Sequence, residues 1–123
     1  MNLEKKGSSL KKDGELNTWY ENGNRKSMGV CKNEKRNGLE TTWYESGKKL
    51  SESNFKNGKR DGLITGWYEN GNKIETYHFK NDQLNGEQTK WYESSEKQTT
   101  RHYKNGKENG IRQEWDEDGK LTY

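Results

Sequence analysis

The sequence predicts an all-β protein, an elongated single-layer antiparallel meander of about ten strands built from 24-residue β-hairpin repeats. Three observations predict it. Tryptophan recurs with a period of 24 residues, an Asp-Gly or Asn-Gly pair ends five residues before each tryptophan, and the residues between the turn signals alternate with period two. The five tryptophans are Trp19, Trp43, Trp67, Trp91 and Trp115.

Each repeat carries two turn signals about twelve residues apart. Asn-Gly and Asp-Gly tolerate the positive φ that tight hairpin turns need, so Asn37-Gly38 and its equivalents are expected to be turns. The second signal follows the tryptophan, as in Glu45-Ser46-Gly47. Each repeat is therefore predicted to be one hairpin.

The strands between these turns are expected to place tryptophan and tyrosine on opposite faces. In unit three, Leu63, Thr65 and Trp67 share one side by parity, and Tyr68 takes the other. Leu39 and Ile111 fall on the tryptophan side as well. We expect that side to be the buried one, with the five tryptophans as a structural ladder.

Composition indicates a folded chain without a thick core. Only 24% of the 123 residues are hydrophobic and 35% are charged, but five Trp, seven Tyr and two Phe supply large rings that bury much area. Lysine and glutamate stems can cover such rings, and cation–π contacts are expected to help. The net charge of +3 is too small to indicate a dedicated phosphate-backbone binder.

The sequence favours a cytoplasmic location. Its one cysteine, Cys31, suits a reducing compartment and fills a repeat position otherwise held by Phe55, Phe79 and Tyr103, so a buried thiol is expected. There is no apolar stretch long enough for a transmembrane segment, and the lysine-rich start has no signal-peptide core.

The repeat resembles the variant class of MORN repeats. The resemblance rests on the run from Gly62 through Trp67-Tyr68 to Gly71, followed by Phe79-Lys80-Asn81 and the next Asn-Gly pair. It implies hairpin arrays that bind proteins or, in some relatives, membranes. Repeats of this class occur in bacterial proteins described as YwqK-like antitoxins, so the resemblance points to that group.

The resemblance divides the chain into residues 1–13, a degenerate cap half-repeat, and residues 14–123, a five-unit array. Two departures stand out. Unit four has Ser94-Ser95 where Asn-Gly is expected, and unit five has Asp116 in place of tyrosine. The last unit stops midway through its second strand, which leaves an unpaired edge and would permit an edge-to-edge homodimer.

The tyrosine row is the candidate partner-binding site, because tyrosine is enriched at protein interfaces. Its members are Tyr20, Tyr44, Tyr68 and Tyr92. The tryptophans are interpreted as structural, with base stacking as the alternative.

No residue pattern indicates catalysis, a metal site or a cofactor. His78 and His102 occupy one repeat position and should lie roughly 10 Å apart, too far to share a metal ion. The turn glutamates, such as Glu69, are expected to be solvated. No nucleotide-binding or nucleophile motif occurs.

The function that the sequence favours is a non-catalytic protein-binding module that neutralises a partner enzyme, either a toxin or a host-defence nuclease. One alternative is single-stranded nucleic-acid binding, because aromatic residues interleave with basic ones such as Lys48, Lys49, Lys56, Lys59 and Arg60. Membrane-surface attachment is a third hypothesis, which rests on family analogy.

Overall fold

A computed structural model describes residues 13–123, which form thirteen β-strands and no helix. The predicted cap over residues 1–13 lies, apart from Asp13, outside the described residues. The strands are β1 (Asp13–Trp19), β2 (Arg25–Lys32), β3 (Lys35–Arg36), β4 (Gly38–Trp43), β5 (Lys49–Lys56), β6 (Lys59–Arg60), β7 (Gly62–Trp67), β8 (Lys73–Lys80), β9 (Gln83–Leu84), β10 (Gly86–Trp91), β11 (Lys97–Lys104), β12 (Lys107–Glu108) and β13 (Gln113–Glu114).

All strands belong to one open antiparallel sheet of consecutive hairpins, which confirms the predicted all-β meander. The longer strands follow the chain in the order β1-β2-β4-β5-β7-β8-β10-β11, and β13 pairs with β11. Four two-residue strands, β3, β6, β9 and β12, each pair with the end of the strand before them. Every neighbour in the sheet is therefore also a near neighbour in sequence.

The tight turns within each unit lie four residues before the position that the sequence predicted. The turn between β2 and β3 uses Asn33 (φ 53°) and Glu34 (φ 67°), and two positive φ values in succession define a type I′ hairpin. Asn37-Gly38 instead joins β3 to β4, with Gly38 at φ 106°. The prediction was wrong because Asn57-Gly58 and Asn105-Gly106, at the observed turn position of other units, carry the same Asn-Gly signal and were not recognised as the turns. The Asn37 side chain instead accepts a hydrogen bond at Oδ1 from the Asn57 amide at 3.1 Å.

The turn after each tryptophan lies where it was predicted. In unit one the Gly23 amide donates to the Tyr20 carbonyl oxygen at 3.0 Å, and Gly23 has a φ of 93°. Such three-residue loops require a left-handed residue at their end. In unit four that residue is Ser95, with a φ of 83°.

A β-bulge faces the tryptophan in each of the first four units. Thr42 pairs with Ser51, but Trp43 pairs with Lys49, so Leu50 is an extra residue on the partner strand. A bulge of this kind turns the following side chain toward the other face. It therefore places Lys49 on the same face as Trp43. The same register shift occurs opposite Trp19, Trp67 and Trp91.

One row of directly paired residues crosses the sheet from β1 to β13 and defines what we call the tryptophan face. Directly paired residues lie on the same side of an antiparallel sheet. The row consists of Asn17, Met28, Thr41, Glu52, Thr65, Thr76, Thr89, Thr100 and Gln113. Thr41, Thr65, Thr89 and Thr100 are buried.

The expectation that aliphatic residues line a buried tryptophan face is wrong. Leu39 is 47% exposed, Leu63 43% and Ile111 76%. Within residues 13–123, Cys31 is the only buried hydrophobic residue, at 1% exposure, as expected for its thiol. The physical reason is that a single sheet has no second layer to cover the ends of its side chains.

Unit five ends in a minimal second strand. Beyond Gly119 the chain turns back, and Leu121 forms a single antiparallel bridge with Trp115. The Thr122 amide donates to the Glu114 carbonyl oxygen at 2.7 Å.

We predict that Ser95→Gly stabilises the protein by about 1 kcal/mol, because a left-handed conformation costs an L-residue about that much and costs glycine nothing. The free energy of unfolding in urea measures the change. Gly71→Ser, at the equivalent position of unit three, is the matched control and should destabilise. A lower stability for Ser95→Gly would contradict the prediction.

Candidate functional site

The tryptophan face carries a ladder in which indole rings and cations alternate along the sheet. Arg25 is paired with Trp19 in the register of β1 and β2, and its guanidinium lies 5.9 Å from the ring centre of Trp43 in the next unit. Lys49 is likewise paired with Trp43 and lies 5.4 Å from the Trp67 ring. Lys73 and Lys97 continue the pattern onto Trp91 and Trp115, at 5.8 and 5.9 Å.

This ladder depends on the β-bulge. Without the extra residue, Trp43 would face Leu50, and Lys49 would point to the other side of the sheet. Each cation–π contact contributes about 0.5–1 kcal/mol at an exposed position. Four such contacts cross unit boundaries, so they hold one hairpin to the next.

The predicted tyrosine site is built into the same unit boundaries. The Tyr44 hydroxyl donates to the Trp67 carbonyl oxygen at 2.6 Å. The bonds from Tyr20 to Trp43, from Tyr68 to Trp91 and from Tyr92 to Trp115 measure 2.6, 2.9 and 2.8 Å. All four rings are half-buried. Burial, reinforced by the nearby Glu69 carboxylate, raises the pKa of Tyr44 above its usual range.

The structure therefore gives each tyrosine hydroxyl a partner within the chain. Only the ring surfaces and edges are available to another molecule. The assignment of the tyrosines to partner binding stays a prediction, as does the structural role of the tryptophans, of which Trp19 is the most exposed at 51%.

The opposite face, which we call the phenylalanine face, carries the row that contains Cys31, Phe55, Phe79 and Tyr103. Phe55 lies directly opposite Gly38 in the register of β4 and β5. On its other side Phe55 is paired with Arg60, while Arg36 from the preceding unit lies 5.8 Å from the Phe55 ring centre. These rings thus also contact the neighbouring unit.

Among the described residues, Tyr77 on this face has the pKa that lies furthest from its usual value. Burial and a hydrogen bond to Glu75 Oε1 at 2.8 Å raise the pKa of Tyr77 to about 12. Its ring lies 6.1 Å from that of Phe79 at a tilted angle of 56°. The carboxylate favours the protonated hydroxyl, because ionisation would remove the donated proton and place two negative charges together.

A row of exposed aliphatic side chains lies on the tryptophan face, and the sequence did not predict it to be a binding surface. Leu39 is directly paired with Asn54, and Leu63 with His78. Together with Val30, which is 44% exposed, these leucines form a row of exposed aliphatic side chains along the sheet. Ile111 occupies the repeat position of Leu39 and Leu63 in unit five. The signal was available, since leucine or isoleucine follows the Asx-Gly glycine in three of five units.

The structure does not bring the other polar candidates together. His78 and His102 are exposed on separate strands, and residues 13–123 contain no group of three His, Cys, Asp or Glu residues arranged to hold a metal ion. The basic residues proposed for nucleic-acid binding separate as well. Lys48 and Lys49 lie at one long edge, and Lys56, Lys59 and Arg60 at the other.

With this geometry established, the sequence was compared with known families. It matches the family described as MORN repeat variant over residues 36–57, 60–81, 84–105 and 108–123. The chain belongs to the MORN repeat variant family. MORN repeats are a generic module that is often involved in binding and is generally non-catalytic.

Comparison with curated proteins and comparison with solved structures each returned no match. Across the part of the MORN array that the structure describes, no helix has the length and apolar character needed to cross a membrane.

We predict that Tyr44→Phe destabilises the array by about 1 kcal/mol, because it leaves the Trp67 carbonyl without its donor. Tyr123→Phe is the matched control, since the Tyr123 ring is 65% exposed and its hydroxyl makes no hydrogen bond in residues 13–123. Urea unfolding of both variants measures the difference. Equal stabilities would show that the hydroxyl contributes nothing to cohesion between units.

We predict that stability falls as the pH rises from about 10 to about 12. The pKa of Tyr77 is raised from 10.0 in the unfolded chain to about 12 in the folded one, so the folded state holds its proton more tightly in this window. The contribution of Tyr77 to the free energy of unfolding is therefore complete below pH 10 and is lost as Tyr77 ionises. Urea midpoints across this range, compared with those of Tyr77→Phe, test the assignment. An unchanged pH dependence in the variant would contradict it.

Proposed function

We propose that this MORN repeat chain is a non-catalytic protein-binding module that neutralises or inhibits a partner enzyme, as YwqK-like antitoxin proteins are expected to do. The observation that carries the proposal is the exposed aliphatic row on the tryptophan face. Val30, Leu39 and Leu63 are 43–47% exposed on a sheet that no second layer covers.

An apolar line with polar neighbours has the composition of a protein interface. Interface centres are apolar and depleted of charge, with a polar rim around them. Here Leu39 and Leu63 alternate with Asn54 and His78 in the register. Leu39 and Leu63 lie in successive units at a spacing of roughly 10 Å, and the equivalent position is Glu15 in unit one and Glu87 in unit four. The apolar part of the surface is therefore centred on units two and three, with charged residues at its ends.

The tyrosine row is proposed as a second contact element. Its rings are half-buried and held in place by their hydroxyl bonds, as Tyr44 is by Trp67. A ring that is already fixed loses little entropy when a partner covers it, which favours binding. By strand alternation the tyrosines take the face opposite Leu39 and Leu63, so the tyrosine row is proposed as a separate contact surface.

The class of partner follows from the family resemblance. A protein that acts by covering a toxin or a host-defence nuclease needs a rigid surface and no chemistry of its own. A cytoplasmic location, consistent with the single buried Cys31 thiol, is part of the same proposal.

The test is capture of a protein from the native host by the immobilised chain. We expect wild type to retain one protein in stoichiometric amount, and Leu39→Asp/Leu63→Asp to lose it, because two buried carboxylates would be left unpaired in the interface. Leu121→Asp is the matched control, an exposed leucine outside the row, and should retain the protein.

The captured protein is then assayed as an enzyme, with nuclease activity measured first. A stoichiometric amount of the chain should abolish its activity, and the Leu39→Asp/Leu63→Asp variant should not. Capture that is equally strong with the double variant would place the interface elsewhere. If the captured enzyme keeps its full activity in the complex, the proposal that the chain inhibits it is wrong.

A further inference from the structure

Along one side of the sheet the ends of the strands are joined by a continuous row of hairpin turns. We call this side the lysine edge and define it as residues 32–36, 56–60, 80–84 and 104–108. Consecutive turns contact each other directly. The Gly58 amide donates to the Arg36 carbonyl oxygen and the Gly106 amide to the Leu84 carbonyl oxygen, both at 2.8 Å. The edge carries seven exposed lysines: Lys32, Lys35, Lys56, Lys59, Lys80, Lys104 and Lys107.

The two edges of the sheet differ in charge. The lysine edge holds nine Lys and Arg against three Asp and Glu, a net charge of +6. The opposite edge is formed by the turn tips at residues 21–24, 45–48, 69–72, 93–96 and 117–120, which hold seven Asp and Glu against two Lys. Five cations follow these tips directly in the sequence and balance them, namely Arg25, Lys26, Lys49, Lys73 and Lys97. Every hairpin contributes to this difference, because antiparallel strands place one kind of turn at each edge.

The ammonium groups of the lysine edge are not neutralised by the chain. The ion pairs of residues 13–123 involve Arg36, Lys49 and Arg112, and none involves the seven edge lysines. Two nearby carboxylates accept backbone amides and form no ion pair with these lysines: Asp61 Oδ1 accepts from the Asn81 amide and Asp82 Oδ1 from the Arg60 amide. Both keep their negative charge, and the lysines outnumber them. A row of like charges raises the local potential and attracts anions.

Recesses between consecutive turns collect these lysines. One recess of about 450 Å³ is lined mainly by lysine and asparagine, namely Lys35, Lys56, Asn57, Lys59, Asp61, Lys80 and Asn81. The next, of about 330 Å³, is lined by Lys80, Asn81, Gln83, Asn85, Lys104 and Asn105. Neither contains an aromatic ring or an apolar side chain. Both therefore offer donors to an oxyanion and no surface for stacking or hydrophobic contact.

We propose that the lysine edge binds the phosphodiester backbone of a single-stranded nucleic acid, with phosphates seated in the recesses between turns. Successive units lie roughly 10 Å apart. The axial rise along a stacked strand is about 3.4 Å per nucleotide, so about three nucleotides separate equivalent sites. Four turns then accommodate a strand of about nine to twelve nucleotides.

The chemistry of the edge favours this ligand over a protein or a membrane. A protein interface needs an apolar centre, and membrane attachment needs apolar side chains that enter the lipid as well as positive charge. The recesses supply neither. Because no ring stacks on the bases, the edge reads the backbone and is indifferent to sequence. This surface is separate from the aliphatic row, so the inference goes beyond the proposed function and does not rest on it.

The first experiment measures fluorescence anisotropy of a labelled twelve-nucleotide oligothymidylate with the full chain at about 50 and 200 mM salt. We expect binding that weakens with salt, and affinity that rises with strand length to about twelve nucleotides and then levels off. A twelve-nucleotide abasic strand should bind as well as the oligothymidylate. Much weaker binding of the abasic strand would contradict backbone recognition.

Charge-reversal variants locate the site. Lys56→Glu/Lys80→Glu should weaken binding at least about tenfold and lower the salt slope by about 1.4, the value for two lost phosphate contacts on a single strand. Lys48→Glu/Lys120→Glu, with the same change in net charge at the opposite edge, is the matched control and should bind nearly as wild type does. Lys56→Gln/Lys80→Gln should show the same direction of loss. Circular dichroism verifies that each variant is folded.

Three results would overturn the proposal: no binding of the oligonucleotide at about 50 mM salt, equal losses in the two charge-reversal variants, or binding restricted to vesicles of anionic lipid or to polyglutamate. The Lys56→Glu/Lys80→Glu variant should still capture the protein partner, because the aliphatic row is intact. Failure of nucleic-acid binding and failure of the protein-binding function are thus distinguished by separate variants.

Discussion

Cohesion of this protein rests on contacts that cross from each hairpin to the next. A single sheet in which Cys31 is the only buried hydrophobic side chain of residues 13–123 cannot rely on a hydrophobic core. Instead, the hydroxyls of the tyrosine row (Tyr20, Tyr44, Tyr68 and Tyr92) each donate to a backbone carbonyl of the following unit, and a cation from one unit lies over the indole of the next. Each contact is worth about 1 kcal/mol or less. Their repetition at every boundary makes the array stable, as in other repeat proteins whose stability is a sum of nearest-neighbour terms.

The same arrangement explains why many side chains on the faces and edges of the sheet stay exposed. Side chains that would fill a core in a two-layered protein are divided here between unit boundaries and open faces. Aromatic rings serve the boundaries, while Leu39, Leu63 and the edge lysines have no intramolecular role that uses their full surface. A MORN array of this kind therefore presents an apolar row on a face and a basic row on an edge. The two surfaces differ in chemistry because they arise from different positions of one 24-residue repeat.

The ladder depends on the β-bulge that lies opposite the tryptophan in each of the first four units. It moves Arg25, Lys49, Lys73 and Lys97 to the tryptophan face without changing the tryptophan strand. The consistent position of the bulge follows from the adjacent loop, in which a left-handed Gly23 or its equivalent fixes the register of the hairpin. One repeated turn thus determines both the pairing of the strands and the contacts between units.

The sequence by itself determined the all-β class, the 24-residue unit, the meander and the turn after each tryptophan, because aromatic period and turn chemistry are local properties. It also placed Leu39 with Thr41 and Trp43 on one face, since alternation is fixed by the strand. Tertiary structure decided which positions are covered. The tight turn has a local signal as well, since Asn57-Gly58 and Asn105-Gly106 lie where turns occur, but the Asx-Gly pairs four residues later carry the same chemistry. Only the structure separates the two, because Asp13 and Asn37 accept hydrogen bonds from residues 20 positions along the chain. The exposure of Leu39 and Leu63, the engagement of the tyrosine hydroxyls and the difference in charge between the two edges depend on which strands lie side by side. Such relations join residues distant in sequence, and no local pattern encodes them.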